Sequence, residues 1–123
     1  MERGERPRNN CVSYVCRQVG LIQEERYISP PTLKSLLRRF DRTSDLESAS
    51  VMAIIYYGRN KPVVEHIALL NGDKQTVIHR DGVNGRVRPN DALDEITEHT
   101  FWPLYKVVYL KPKPVRKPLR FFW

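Results

Sequence analysis

A chain of 123 residues can hold one domain with its own core but not two. Hydrophobic residues at 41% and charged residues at 28% argue against a disordered chain, and no apolar run is long enough for a helical membrane span. The net charge of +7 admits nucleic acid, anionic lipid or an anionic cell-wall polymer as partner and says nothing about the fold.

The first ten residues, MERGERPRNN, are basic without an apolar segment behind them, so no Sec-type signal peptide is expected; the protein is expected to be cytoplasmic at synthesis, and any extracytoplasmic target needs another route. A helix is expected from Cys11. Asn9 or Asn10 caps it, Val12, Val15, Cys16 and Val19 form its apolar stripe, and Gly20 ends it. SPPTLKSLLRRF predicts a second helix over about 31–40, with Ser29 as cap, prolines at its start, and Leu33, Leu36, Leu37 and Phe40 on one face. Residues 50–58, apolar throughout and stopped by Gly58, read as a buried strand. Strands at 62–70 and 75–82 follow, joined by a hairpin loop at Asn71–Lys74. Residues 85–89 form a short fourth strand, Pro89-Asn90 begins a turn or short helix through NDALDEI, and 100–110 is the last strand.

The domain is thus expected to occupy 1–110, followed by a basic, proline-rich tail at 111–123. The tail holds Lys111, Lys113, Arg116, Lys117 and Arg120, no acid, and three prolines that oppose a helix or a central strand. Its last residues, Phe121, Phe122 and Trp123, either cover an exposed edge or leave the tail to grip an anionic polymer.

Chemistry concentrates in the cysteines and histidines. Cys11 lies in the first turn of its helix, where unpaired amides and the helix dipole favour a thiolate and a lowered pKa. Cys16 lies in the apolar stripe, where a thiol is a small, inert hydrophobe. At i and i+5 the two are roughly 140° apart on a helix, which opposes a local disulfide, and a reducing compartment favours free thiols. His99 sits in a polar loop and is read as a surface residue. His66 and His79 lie in the two strands of one hairpin. A four-residue loop pairs Leu70 with Gln75 and puts His66 opposite His79; a two-residue loop puts His66 opposite Val77. Either register sets both imidazoles on one face. Such a pair can supply a base for Cys11 and a group that orients the base. The plainer alternative is two unrelated strand histidines, one in the core and one on the surface. A zinc site from Cys11, Cys16, His66 and His79 is opposed by the spacing, since C-x4-C on a helix does not aim both sulfurs at one ion, and no cofactor is implied.

The order of these segments resembles the NlpC/P60 superfamily of papain-like cysteine hydrolases, over roughly residues 9–95. NNCVSYVCRQVGL is similar to its nucleophile helix, DLESASVMAIIYYG to the strand after it, EHIALLNGD to the strand bearing its histidine, and TVIHRDG to the strand ending in its third polar residue. GRVRPNDAL is similar to the short strand that follows. Asn10 and Val12 stand where the family commonly has Asp and Ser, and Ser13 where it has Gly; the related CHAP amidases fit NNCVSYV about as well. The resemblance implies an α+β, papain-like NlpC/P60-type domain in which the cysteine-bearing helix packs on an antiparallel sheet of about five strands. It implies a thiol peptidase or amidase with Cys11 as nucleophile, His66 as base and His79 as orienting residue. An amide substrate goes with it, a peptidoglycan peptide being the class the family implies. The alternative is a catalytically inactive module of the same fold whose basic surface binds an anionic partner such as nucleic acid or cell wall.

Overall fold

The computed structural model describes residues 6–98 and 103–114, and within them the chain is α+β with one antiparallel sheet of six strands. In chain order these are α1 (Cys11–Gln18), α2 (Leu33–Leu36), β1 (Phe40–Thr43), β2 (Val51–Tyr56), β3 (Val63–Leu70), β4 (Thr76–Arg80), β5 (Val87–Ala92), α3 (Leu93–Ile96) and β6 (Tyr105–Pro112), with a 3-10 turn at Leu46–Ser48. The sheet order is β1-β6-β2-β3-β4-β5.

Strand β2 is apolar at nearly every position because both of its faces are covered. Val51, Ala53 and Ile55 point toward α1 and α2 and pack with Val12, Val15, Cys16, Leu36, Phe40, Val64 and Ile67. Met52 and Ile54 point the other way, into a smaller cluster with Ala68, Leu70, Val77 and Leu93 of α3. Burial of this kind stabilises by about 1.5–3 kcal/mol per fully covered large side chain.

The expected sheet of about five strands is corrected to six. The extra strand is β1, and it takes Phe40 from the expected second helix. That helix also starts late, capped by Thr32 in place of Ser29, because residues 31–33 are engaged with β3. Val64 donates to the Pro31 carbonyl, Leu33 donates to the Pro62 carbonyl, and Thr32 bridges Val63. Phe40 is fully buried and pairs with Pro112 of β6.

Two further boundaries differ from expectation. The segment at Pro89–Asp91 is strand, not turn or helix. β5 is an edge strand, so the missing amide of Pro89 costs no ladder bond there. β6 runs on through Lys111 and Pro112, and Lys113 donates its amide to the Arg39 carbonyl and its Nζ to the Leu37 carbonyl. The first residues of the expected tail therefore belong to the sheet. Residues 115–123, including Arg116, Lys117, Arg120 and the final aromatics, and His99 with the start of the expected last strand, lie outside the described residues.

Candidate active site

The sequence builds the N-terminus of α1 tightly. Asn10 is the cap: its Oδ1 accepts from the Ser13 amide at 2.9 Å, and the Ser13 hydroxyl accepts from the Asn10 amide at 2.8 Å. The Asn10 side chain also donates to the Ile28 carbonyl at 2.6 Å, tying the incoming loop to the helix start. At the other end Gly20 takes φ +83, the left-handed geometry of a helix C′ residue. Upstream, Asn84 holds the chain before the cap. Its Oδ1 accepts from the Arg8 and Asn9 amides and its Nδ2 donates to the Arg6 carbonyl. Cys11 is thereby fixed as the first residue of the helix, half-buried, with Cys16 fully buried in the core one and a half turns on.

The Cys11 sulfur faces the backbone amide of Ile67 as well as those of Val12 and Cys11 itself. Ile67 follows His66 in β3. The residue before His66, Glu65, is near enough for its charge to oppose a thiolate. The sulfur thus meets the backbone of β3 at Ile67. β3 and β4 are paired near their hairpin end, at Leu69↔Ile78 and Leu70↔Val77, and it is beyond these pairs that α1 meets the backbone of β3.

The expected lowering of the Cys11 pKa is corrected. Burial of the thiol is the largest influence and pushes it up, the Glu65 charge pushes the same way, and the three amides oppose without prevailing. Cys16 is pushed up to about 12, again mainly by burial, as a core thiol should be.

A β-bulge aims His66. Ile54 pairs with His66 and Ile55 with Val64, so Glu65 is the extra residue of β3. Val64 faces the α1 side of the sheet, whereas His66 shares the side of its partner Ile54, so the strand sets the His66 side chain on the face away from α1 and Cys11. His79 shares that side with Val77. The observed hairpin register differs from both expected ones, because Leu70 pairs with Val77. Asp73 closes the loop by accepting from the Gln75 and Thr76 amides, and Lys74 takes φ 59. The shift is an even number of residues, so the side chains keep their face and the histidines become diagonal neighbours.

They touch. His66 Nε2 lies 2.7 Å from His79 Nδ1, with the rings edge to face and 4.8 Å between centroids. His79 is buried, at 4% exposure. Its Nε2 lies 2.8 Å from Asp91 Oδ2, and Arg88 Nε donates to the same oxygen at 2.6 Å. A second irregularity makes this possible: Val77 pairs with Asp91 but His79 with Arg88, so β5 carries one extra residue at Pro89-Asn90. The resulting kink turns Arg88 and Asp91 toward each other. Asp91 is held down to about 2, first by the Arg88 hydrogen bond and then by that of His79. Asp91 and Arg88 were not legible as site residues from the sequence.

Behind the helix, Arg80 of β4 grips Glu25 with two bonds, Nε–Oε1 at 2.7 Å and Nη2–Oε2 at 2.8 Å. Its guanidinium also lies 5.7 Å from the ring centroid of Tyr14 and donates to the Gly85 carbonyl. This links the loop after α1, the helix and β4 into one support for the site.

Among the described residues no group of three or more His, Cys, Asp or Glu could hold a metal ion; the two imidazoles are turned to each other and Cys16 to the core. No protein-family model, curated protein or solved structure matches the chain.

Proposed function

We propose that this protein is a cysteine hydrolase of papain-like, NlpC/P60-type architecture that cleaves an amide bond with Cys11 as nucleophile, His66 as general base and His79 as the residue orienting it. The observation that carries the reading is the 2.7 Å contact of His66 with His79, on a strand whose Ile67 amide meets the Cys11 sulfur; His66 itself leaves the sheet on the side of Ile54, so the reading requires its ring to reach the sulfur from that side. Because burial keeps the resting thiol neutral, the proton passes from Sγ to His66 as the sulfur attacks the carbonyl. On this reading the backbone amides at the start of α1 would hold the oxyanion. The imidazolium then protonates the leaving amine, and water, deprotonated by His66, releases the acyl group. Glu65, whose charge acts on the thiol, lines a cleft of about 340 Å³ with Tyr56, Arg59 and Tyr105, in which a peptide segment would sit on this reading. A peptidoglycan peptide is the substrate class in keeping with the family resemblance. The test is incubation with peptidoglycan peptides and simple amides, with Cys11→Ala as control. Thiol-dependent release of an amine supports the reading, and equal release by Cys11→Ala overturns it.

One observation favours the second reading, an inactive module that binds an anionic partner. A larger cleft of about 840 Å³ lies between α2 and the start of β3. Lys34, Arg38, Lys61 and Lys113 line it, with no acid on its walls. On this reading Lys34→Glu with Lys61→Glu abolishes salt-dependent binding of a fluorescein-labelled oligonucleotide, and Cys11 shows no reactivity above that of an ordinary buried thiol.

A further inference from the structure

The bonds running from His66 to Arg88 restrict where the ring protons of both histidines can be. Asp91 is a carboxylate, and a carboxylate only accepts. His79 Nε2, 2.8 Å from its Oδ2, must therefore carry the proton of that bond. A neutral His79 then has its lone pair on Nδ1. His66 Nε2 lies 2.7 Å from that lone pair and must be the donor. A neutral His66 is left with an unprotonated Nδ1. Each step uses one proton and one lone pair, and the opposite order would set the His79 Nε2 lone pair against the carboxylate.

We infer that Asp91, held by Arg88, is a positioning residue that sets the tautomers of His79 and then of His66, so that Nδ1 is the nitrogen of His66 that accepts a proton. For the use of that nitrogen in catalysis the inference rests on the proposed hydrolase reading; the tautomers themselves do not. Arg88 donates to the oxygen that His79 also uses, which fixes the carboxylate in rotation and keeps it ionised. It also offsets most of the Asp91 charge. The pair therefore acts by orientation and proton placement more than by attracting an imidazolium, the role that outer partners of histidine play in other sites. When Cys11 gives its proton to His66 Nδ1, no other proton in the row has to move: Nε2 of His66 and Nε2 of His79 keep theirs, and the new charge is spread along an already aligned row.

The experiment is long-range proton–nitrogen NMR on the full chain with 15N-labelled histidine, at a pH above the imidazole titration. The expected result is a single tautomer for each of His66 and His79, protonated at Nε2. In Asp91→Ala both rings are expected to become mixtures, and iodoacetamide labelling of Cys11 to slow by about tenfold or more, within the range seen for loss of an outer partner. Asp91→Asn, whose amide oxygen can still accept, is expected to restore part of the pattern. A wild-type His79 protonated at Nδ1 overturns the inference without any variant, so it is decided even if Asp91→Ala fails to fold. Unchanged tautomers in a folded Asp91→Ala overturn it as well. The expected tautomers together with an inert Cys11 uphold the positioning by Asp91 and overturn the hydrolase reading instead.

Discussion

His66 Nε2 stands 2.7 Å from His79 Nδ1, on two strands whose hairpin loop separates them by 13 positions in sequence. A bond this short between two imidazoles needs one ring to donate and the other to accept, so the pair is ordered by what lies beyond it. Replacing His66 by Ala should slow Cys11 alkylation at neutral pH by at least about tenfold, at the lower edge of what general-base assistance supplies. Replacing His79 by Ala should slow it less, because His66 remains but loses the bond to His79. Intact-mass kinetics with iodoacetamide measure both.

Acid should unfold the protein in part through Asp91. Its folded pKa of about 2 lies below the ordinary 3.8, so its contribution is complete above about pH 4 and is lost as the pH falls through about 2. Stability measured by urea unfolding should decline over that window. In Asp91→Ala the decline should be shallower, with a loss of about 1.5–3 kcal/mol already present at pH 7 for hydrogen bonds to a charged group. An unchanged acid limb in the variant would show that Asp91 is not held as described.

Cys16 gives the opposite sign. A thiol whose pKa is raised to about 12 contributes stability that is complete below about 8.5 and is lost as pH rises toward 12. Cys16 should resist alkylation until the protein unfolds in alkali. Labelling of Cys16 below pH 9 in folded protein would contradict its place in the core.

Glu25→Gln should cost about 2–3 kcal/mol. Arg80 and Glu25 are 16% and 20% exposed in their side chains, so the loss should fall somewhat below the ~3–5 kcal/mol of a fully buried pair. Chemical denaturation gives the value, and a loss under about 0.5 kcal/mol would mean that the pair is no more than a surface contact.

Two truncations separate sheet from tail. Ending the chain after Leu110 should cost at least about 2 kcal/mol more than ending it after Pro114, because Lys111 and Pro112 pair with Asp41 and Phe40 and Lys113 makes two hydrogen bonds to 37–39. Equal melting temperatures for the two would contradict the observed end of β6.

The helix α1, the buried β2 and the histidine hairpin were legible because each rests on local signals: an Asn cap before an apolar stripe, an unbroken apolar run, and a polar loop between two apolar runs. The common face of His66 and His79 was legible for a subtler reason. Strand side chains alternate with a period of two, so the register error kept the face. What escaped was set by tertiary pairing. Phe40 has a helical spacing to Leu33, Leu36 and Leu37, yet it enters β1 because β6 is there to pair with it. Pro89-Asn90 reads as a turn, yet the edge position of β5 tolerates it as a bulge. Asp91 was hidden by that same misreading: taken as part of a turn or helix, it had no reason to face His79. The pKa of Cys11 was missed because helix position is local and the depth of burial is not.

The central claim is that Cys11 is a nucleophile served by His66, and one measurement reaches it most directly: alkylation rates of Cys11 and Cys16 in the same folded sample, from pH 6 to 10, in wild type and in His66→Ala. Cys11 should react at least about tenfold faster than Cys16 at every pH, with a rate that still climbs above pH 8.5 because burial raises its pKa, and that advantage should shrink by at least about tenfold in His66→Ala. A Cys11 rate indifferent to His66→Ala, or a Cys16 that reacts as fast, would contradict it.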